Sequence, residues 1–301
     1  MRYIDKYRMH SSAHALNVRF LKFLYRKNIA NPEPSPADSE RSFKSFKRYK
    51  NDWRPLLLQE QLYEGASRCC FCMRKLVDSA GLINIEHVIP KSLSGLEGQT
   101  QYAYYSTYAP ALRDHIMMAD DFGRKTFNEL NDINNESHLP HTIGLSNLVA
   151  ACNGKRNSFN TIGCCCNWLR SSDKIMPIML MPNAETDVKY DANGILTISC
   201  NDGSLNKIID ELNDTTLQEI RSIWYHLSRV EKDLTDALNM PILERINWFK
   251  DGYETTNFAT LPRNVKRYIG ALTASDSNTY WELLLAYDWF YHYPAYAKQR
   301  N

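Results

Sequence analysis

No apolar run approaches the about 18 residues that a membrane-spanning helix needs, so the sequence offers no membrane span. The first residues, Met1-Arg2-Tyr3-Ile4-Asp5, lack the apolar stretch of a secretory signal. The chain also lacks a charge excess: 36 Lys and Arg stand against 34 Asp and Glu, for a net +2. That balance argues neither for nor against a nucleic-acid partner, and any basic surface must come from local clustering. No internal repeat is evident. What is abundant is apolar and aromatic: 44% and 12% of the residues, with 18 Tyr. Such a chain can bury a sizeable core and does not read as disordered. At 301 residues it exceeds one average domain without requiring two. Eight cysteines include the pair Cys69-Cys70 and the triplet Cys164-Cys165-Cys166. With no export signal they read as metal ligands rather than disulfides, and a cytosolic location is expected.

The chain divides into three stretches: 1–66, 67–182 and 183–301. In the first, Ala15, Val18, Leu21 and Leu24 recur at helical spacing with basic residues between them. Three alternating prolines at 32, 34 and 36 then exclude a helix and mark a linker. A second helix is expected over 39–64, basic at first (Lys44, Lys47, Arg48, Lys50, Arg54) and leucine-rich later, with Pro55 breaking or restarting it. A solvated face explains the basic set at least as well as phosphate contact does. In the last stretch, Gly194 to Ser199 reads as a short strand after the turn-like Asp191-Ala192-Asn193. Thr216 with Glu219 forms a capping box for a helix running to Pro241. A further helix over 278–291 carries Tyr280, Trp281, Tyr287, Trp289, Phe290 and Tyr291, best read as core packing.

The middle stretch carries the chemistry. Cys69-x-x-Cys72 has the spacing at which a tight turn lets two thiolates reach one zinc ion. Alone, it could equally be a redox pair or two buried thiols. Further cysteines at 152 and 164–166 strengthen the metal reading. Cys152 is the natural third ligand, and the fourth is one of Cys164, Cys165 and Cys166. Between the cysteine groups lie Glu86-His87-Val88-Ile89-Pro90 and Leu145-Ser146-Asn147-Leu148, and Cys166 is followed by Asn167 and Arg170. The tract 153–157 brings Lys155 and Arg156 into the same module as substrate-contact candidates. His138 and His141 flank Pro140 and read as loop residues without a role. His115 and His226 fall in expected helices, and His226, beside the apolar face, reads as packed.

In this order the motifs resemble the HNH endonucleases, whose fold is a ββα-metal module. The resemblance implies that His87 is the general base, that Glu86 and Asn167 hold a divalent ion, and that Asn147 orients the hairpin loop. It also selects Cys166 as the fourth zinc ligand, because Asn167 follows it. The fold expected is therefore α+β, a zinc-stapled ββα-metal (HNH) nuclease module over 67–182 in a mostly helical frame. A narrower likeness covers Leu57-Leu58-x-Glu60-Gln61, Cys69-x-x-Cys72-Met73-Arg74-Lys75-Leu76 and Ile175-Met176-Pro177-Ile178. Here the chain is similar to PtuB-type effectors of Septu and retron antiphage systems, which act with an ATPase partner (PtuA-like).

The chemistry is coherent on its own terms. A divalent ion neutralises a phosphodiester and stabilises its leaving oxygen. A histidine with a pKa near ~6.5 accepts a proton from water at neutral pH. Carboxylate and amide oxygens are hard ligands, so Glu86 and Asn167 suit Mg²⁺ or Mn²⁺. Arg170, one helical turn from Asn167, shares its face and can meet a phosphate. Expected, then, is hydrolysis of nucleic acid, DNA before RNA or tRNA. The rival is a non-catalytic zinc module that binds nucleic acid or protein. A docking role for 205–301 on the ATPase is expected as well, against the plainer alternative that these helices complete the chain's own core.

Overall fold

The computed structural model describes residues 1–7, 50–63, 65–78, 82–118, 121, 139–153, 155–157, 162–164, 166, 177–199, 212–213, 215–227, 263, 267 and 284–290. Two strands form its hub. β3 (Ile83–His87) and β6 (Leu148–Cys152) pair antiparallel, with Ile83 opposite Cys152 and His87 opposite Leu148. The sequence of β6, Leu-Val-Ala-Ala-Cys, is apolar throughout, and all five residues are buried. A strand covered on both faces needs such a run.

Helix α1 (Lys50–Glu60) lies against β6 and buries Trp53, Leu57 and Leu58, one turn apart. Pro55 sits inside it and does not break it, contrary to the sequence expectation. The helix also stops at Glu60 rather than 64. Leu62–Tyr63 (β1) instead fold back onto Ala66–Ser67 (β2) around Gly65, whose φ of 73° suits a tight reversal. The helix expected over 11–27 and the proline linker lie outside the described residues.

Between the hub strands, α2 (Gly95–Tyr108) and α3 (Pro110–His115) follow one another, α3 opening with proline at its first position. The two-residue strands β4 (Ile116–Met117) and β5 (Leu139–Pro140) pair in parallel, and a 3₁₀ turn over Leu145–Asn147 leads into β6. Tyr105 is wholly buried, and the ring of Tyr104 meets Tyr105 and Tyr108 edge-on. After β6 come β7 (Lys155–Asn157) and β8 (Ile162–Cys164), an antiparallel pair.

Towards the C-terminus, α4 (Ala184–Asp187) precedes β9 (Val188–Tyr190), which pairs with β10 (Leu196–Ile198) across the turn expected at 191–193. Asp191 Oδ1 accepts from the amides of Asn193 and Ile195 and so holds that turn. α5 (Thr215–Leu227) buries Leu217, Ile220, Ile223 and Trp224 along one stripe. Thr216 is already helical there, so it is not the cap of the expected box; the stretch from 228 to 238 lies outside the described residues. The helix expected over 278–291 is interrupted: after a turn at 286–287 the chain forms a 3₁₀ segment, Asp288–Phe290. The cause is local. The Ala286 carbonyl accepts from the Lys75 amide at 2.7 Å and is taken out of any helical ladder. Tyr287, Trp289 and Phe290 are core residues, as read.

One apolar cluster joins Met1 and Ile4, α1, the hub strands, α5 and the 284–290 segment. The architecture is a mixed α/β protein of small, two-stranded sheets. The α of a ββα module would follow Cys166, outside the described residues. Among the described residues, no helix is long and apolar enough to cross a membrane.

Candidate metal centre and the His87 strand end

Cys69, Cys72, Cys152 and Cys166 converge, their sulfurs all within 4.8 Å of one another and all four residues buried. The first two come from a tight turn. The Met73 amide donates to the Cys69 carbonyl at 3.0 Å, and Met73 takes a left-handed φ of 63°. That conformation is unusual for a residue with a Cβ and reverses the chain just past the second cysteine. Cys152 ends β6, and its amide donates to Cys69 Sγ at 3.3 Å. Cys166 arrives in a turn with φ 60°.

The spacing suits a tetrahedral ion. With Zn–S near 2.3 Å, tetrahedral sulfurs stand about 3.8 Å apart. Here Cys69–Cys166 is 3.9 Å, Cys72–Cys152 3.8 Å and Cys152–Cys166 3.6 Å. Burial pushes the Cys69 thiol well above its ordinary range; a dication at the centre reverses that preference, since a coordinated thiol deprotonates. A buried four-cysteine cluster that can hold a metal such as zinc is therefore present. Among the described residues, which include Cys164 and Cys166 but not Cys165, it is Cys166 that joins the cluster. Cys70 is buried beside the cluster and outside it, its thiol pushed up by burial and further by the charge of Glu86.

Along one face of the hub, His87, Ile85 and Ile83 of β3 lie opposite Leu148, Ala150 and Cys152 of β6. The metal centre and His87 thus mark two ends of one ladder, about 13 Å of strand apart. His87 is 8% exposed, and its Nε2 lies 2.8 Å from the Thr142 carbonyl oxygen. A carbonyl only accepts, so Nε2 bears the hydrogen and, in the neutral ring, Nδ1 bears the lone pair. Glu86, opposite Val149, leaves the strand on the other face.

Asn147 secures the turn beyond His87. Wholly buried, it accepts from the Ile89 amide at 2.6 Å and donates to the carbonyls of Ile89 (3.0 Å) and His141 (2.6 Å). Its own carbonyl accepts from the Val88 amide. Asn167 and Arg170 lie outside the described residues; Lys155 and Arg156 form β7.

Several supports went unnoticed in the sequence. Gln61 reads β6 as a strand would, accepting from the Ala150 amide at 2.6 Å and donating to its carbonyl at 2.9 Å. Lys6 Nζ reaches the Leu148 carbonyl and Glu60, both at 2.5 Å. Asp288 binds Arg68 and Lys75, which flank the knuckle. Thr142 serves through its backbone, which leaves no mark in residue type. Glu60 and Gln61 did stand in the motif quoted above, without a stated job. His115 Nδ1 lies 3.0 Å from the Ser146 hydroxyl.

Fold and site together define a mixed α/β protein with a candidate four-cysteine metal centre. No family model, curated protein or solved structure matches the chain.

Proposed function

We propose that the chain is a metal-dependent HNH-type endonuclease that hydrolyses phosphodiester bonds, with DNA favoured as substrate. One observation carries the reading most: His87 ends β3 with Nε2 bonded to a carbonyl, so that Nδ1 is the basic nitrogen, in a turn secured by Asn147. A general base needs that fixed tautomer. In this reading His87 takes the proton from the attacking water. The cysteine quartet holds zinc as a staple and stays out of the chemistry. Mg²⁺ or Mn²⁺, the ion that the resemblance assigns to Glu86 and Asn167, would neutralise the phosphate and stabilise the leaving oxygen. Arg170, Lys155 and Arg156 are the proposed phosphate contacts.

The cellular setting is proposed from the PtuB-type likeness: a cytosolic effector of antiphage defence, gated by an ATPase partner. The core claims Trp224, Tyr287 and Phe290, so docking by 205–301 would use other faces of those segments. A second reading, a non-catalytic zinc module, draws on the near-complete burial of His87, which a packed structural histidine also explains.

The test is the chain copurified with its native partner, assayed on DNA and total RNA with Mg²⁺. The endonuclease reading expects His87→Ala to abolish cleavage while zinc content and melting stay as in wild type. Cleavage of RNA alone moves the substrate to the alternative. If His87→Ala cleaves at the wild-type rate, the mechanism is wrong.

A further inference from the structure

The Val88 amide bonds to the Asn147 carbonyl. In the alternating pattern of an antiparallel pair, Leu148, Ala150 and Cys152 then turn their backbone groups away from β3. Side chains from other segments serve that outer edge. At the metal end Cys69 Sγ accepts from the Cys152 amide, and in the middle Gln61 takes both polar groups of Ala150. At the far end Lys6 Nζ donates to the Leu148 carbonyl and to Glu60 Oε2, each at 2.5 Å. Leu148 is the ladder partner of His87. The residue before it, Asn147, receives the Val88 amide and holds the His141 carbonyl. Thr142, next in the chain after His141, gives the carbonyl that fixes His87 Nε2. Lys6 therefore grips β6 one residue from the bonds that set the His87 ring.

A neutral amide is enough for a buried carbonyl, as Gln61 shows two residues along the same edge. At Leu148 the chain instead buries a cation and an anion, with side chains 1% and 2% exposed. The desolvation of two such charges offsets their attraction, so stability alone is a weak reason for the pair. What the pair adds is position. Lys6 comes from the amino-terminal segment, Glu60 from the end of α1 and Leu148 from β6, and one ammonium group with directed N–H bonds ties all three.

We propose that Lys6 is a positioning residue for His87: the Lys6–Glu60 pair holds Leu148 so that the His87 ring keeps its bond to Thr142 and Nδ1 stays the basic nitrogen. Its part in cleavage rests on the endonuclease reading above. The hold on the ring does not.

The experiment compares the zinc-loaded full chain with Lys6→Met/Glu60→Met, which removes the bond to Leu148 and leaves no bare charge behind. Ring-nitrogen NMR at neutral pH should show the His87 Nε2–H of wild type as a proton shielded from exchange, assigned by its loss in His87→Ala. In the double variant its exchange should quicken about tenfold or more, while the core amides of β3 and β6 exchange as before and zinc content holds. In the cleavage assay kcat should fall about tenfold with KM unchanged, since the base is displaced and the substrate contacts are not. An unmoved ring proton in the folded double variant overturns the proposal. So does a quickening shared by the ring and all core amides, which is plain loss of stability. Should the double variant not fold, wild type decides. Its Lys6 ammonium protons should be visible below neutral pH, slow to exchange and coupled to the Leu148 carbonyl carbon, and their absence overturns the hold. A ring that loosens while cleavage stays at the wild-type rate, or a wild type that cleaves nothing, strikes the endonuclease reading and leaves the hold on His87 in place.

Discussion

Asn147 and Ile89 bond each other twice, side-chain amide to backbone, across the turn that follows His87. Together with the bond to His141, the amide serves three backbone groups that have no access to water. Asn147→Ala strips all three at once. The expected loss is about 2–4 kcal/mol of stability in denaturant titration, because buried groups are left bare. Asn147→Asp is the sharper variant: it keeps the acceptor and loses the two donated bonds. On the proposed function it should lower cleavage more than zinc content. A variant as stable as wild type would show that the turn holds without Asn147.

The purified chain should carry about one Zn²⁺, and chelation should unfold the region around β3 and β6, since a structural zinc site contributes its binding energy to folding. Cys166→Ser should lose the metal; Cys164→Ser and Cys70→Ser should keep it. Metal analysis beside circular dichroism reads both. A well-folded chain free of zinc would reject the centre.

Tyr7 and Asp114 hold each other in opposite protonation states. The Tyr7 hydroxyl donates to Asp114 at 2.6 Å. Partial burial, and then this bond, push Tyr7 up to about 12. The same bond, with Arg113 beside it, holds Asp114 below the usual carboxylate range. For Tyr7 the folded pKa lies above an unfolded value near ~10, so its contribution is present below pH ~10 and is lost as pH rises through the folded pKa. For Asp114 the sign is reversed: its contribution is present above ~3.9 and is lost as pH falls through the lowered folded value. Ring-carbon NMR of selectively labelled tyrosine should show one titration near 12 that Asp114→Asn brings down. An unchanged midpoint would break the pairing.

Gly194 should tolerate no side chain. Its φ is 76°, and a Cβ there would stand 2.0 Å from the Gln218 carbonyl oxygen of α5. Gly194→Ala should cost about 3 kcal/mol or more, through both the left-handed backbone and the clash. Equilibrium unfolding measures it, and a loss below about 1 kcal/mol would mean that the turn and α5 separate easily.

Much of the site could be read from spacing. Cys69 and Cys72 announced a knuckle, and Cys152, at the end of an apolar run, fell where a buried strand delivers it. The choice of Cys166 over its two neighbours was not written in their identity; it followed from the asparagine behind it. The helix boundaries were less legible, and for tertiary reasons. Pro55 sits within a helix that buries Trp53 and Leu57 around it. The 278–291 pattern had helical aromatics, yet the Ala286 carbonyl serves Lys75, a residue far away in sequence. Supports such as Lys6, Gln61 and Thr142 act on backbone atoms, and no residue pattern advertises that.

The hold of Asp288 on Arg68 also sets a schedule. The two residues are 220 apart in the chain, and the knuckle cannot be braced until the later one has left the ribosome. At about 5–20 residues per second this interval is on the order of ten to forty seconds. During that time β3, β6 and the cysteines are already synthesised while their brace is not, so thiols meant for one ion stand open to wrong partners. A nascent chain stalled short of residue 288 should take up zinc less tightly than the finished protein. Such a chain would brace its cysteine cluster only once residue 288 has been made, long after the cysteines themselves.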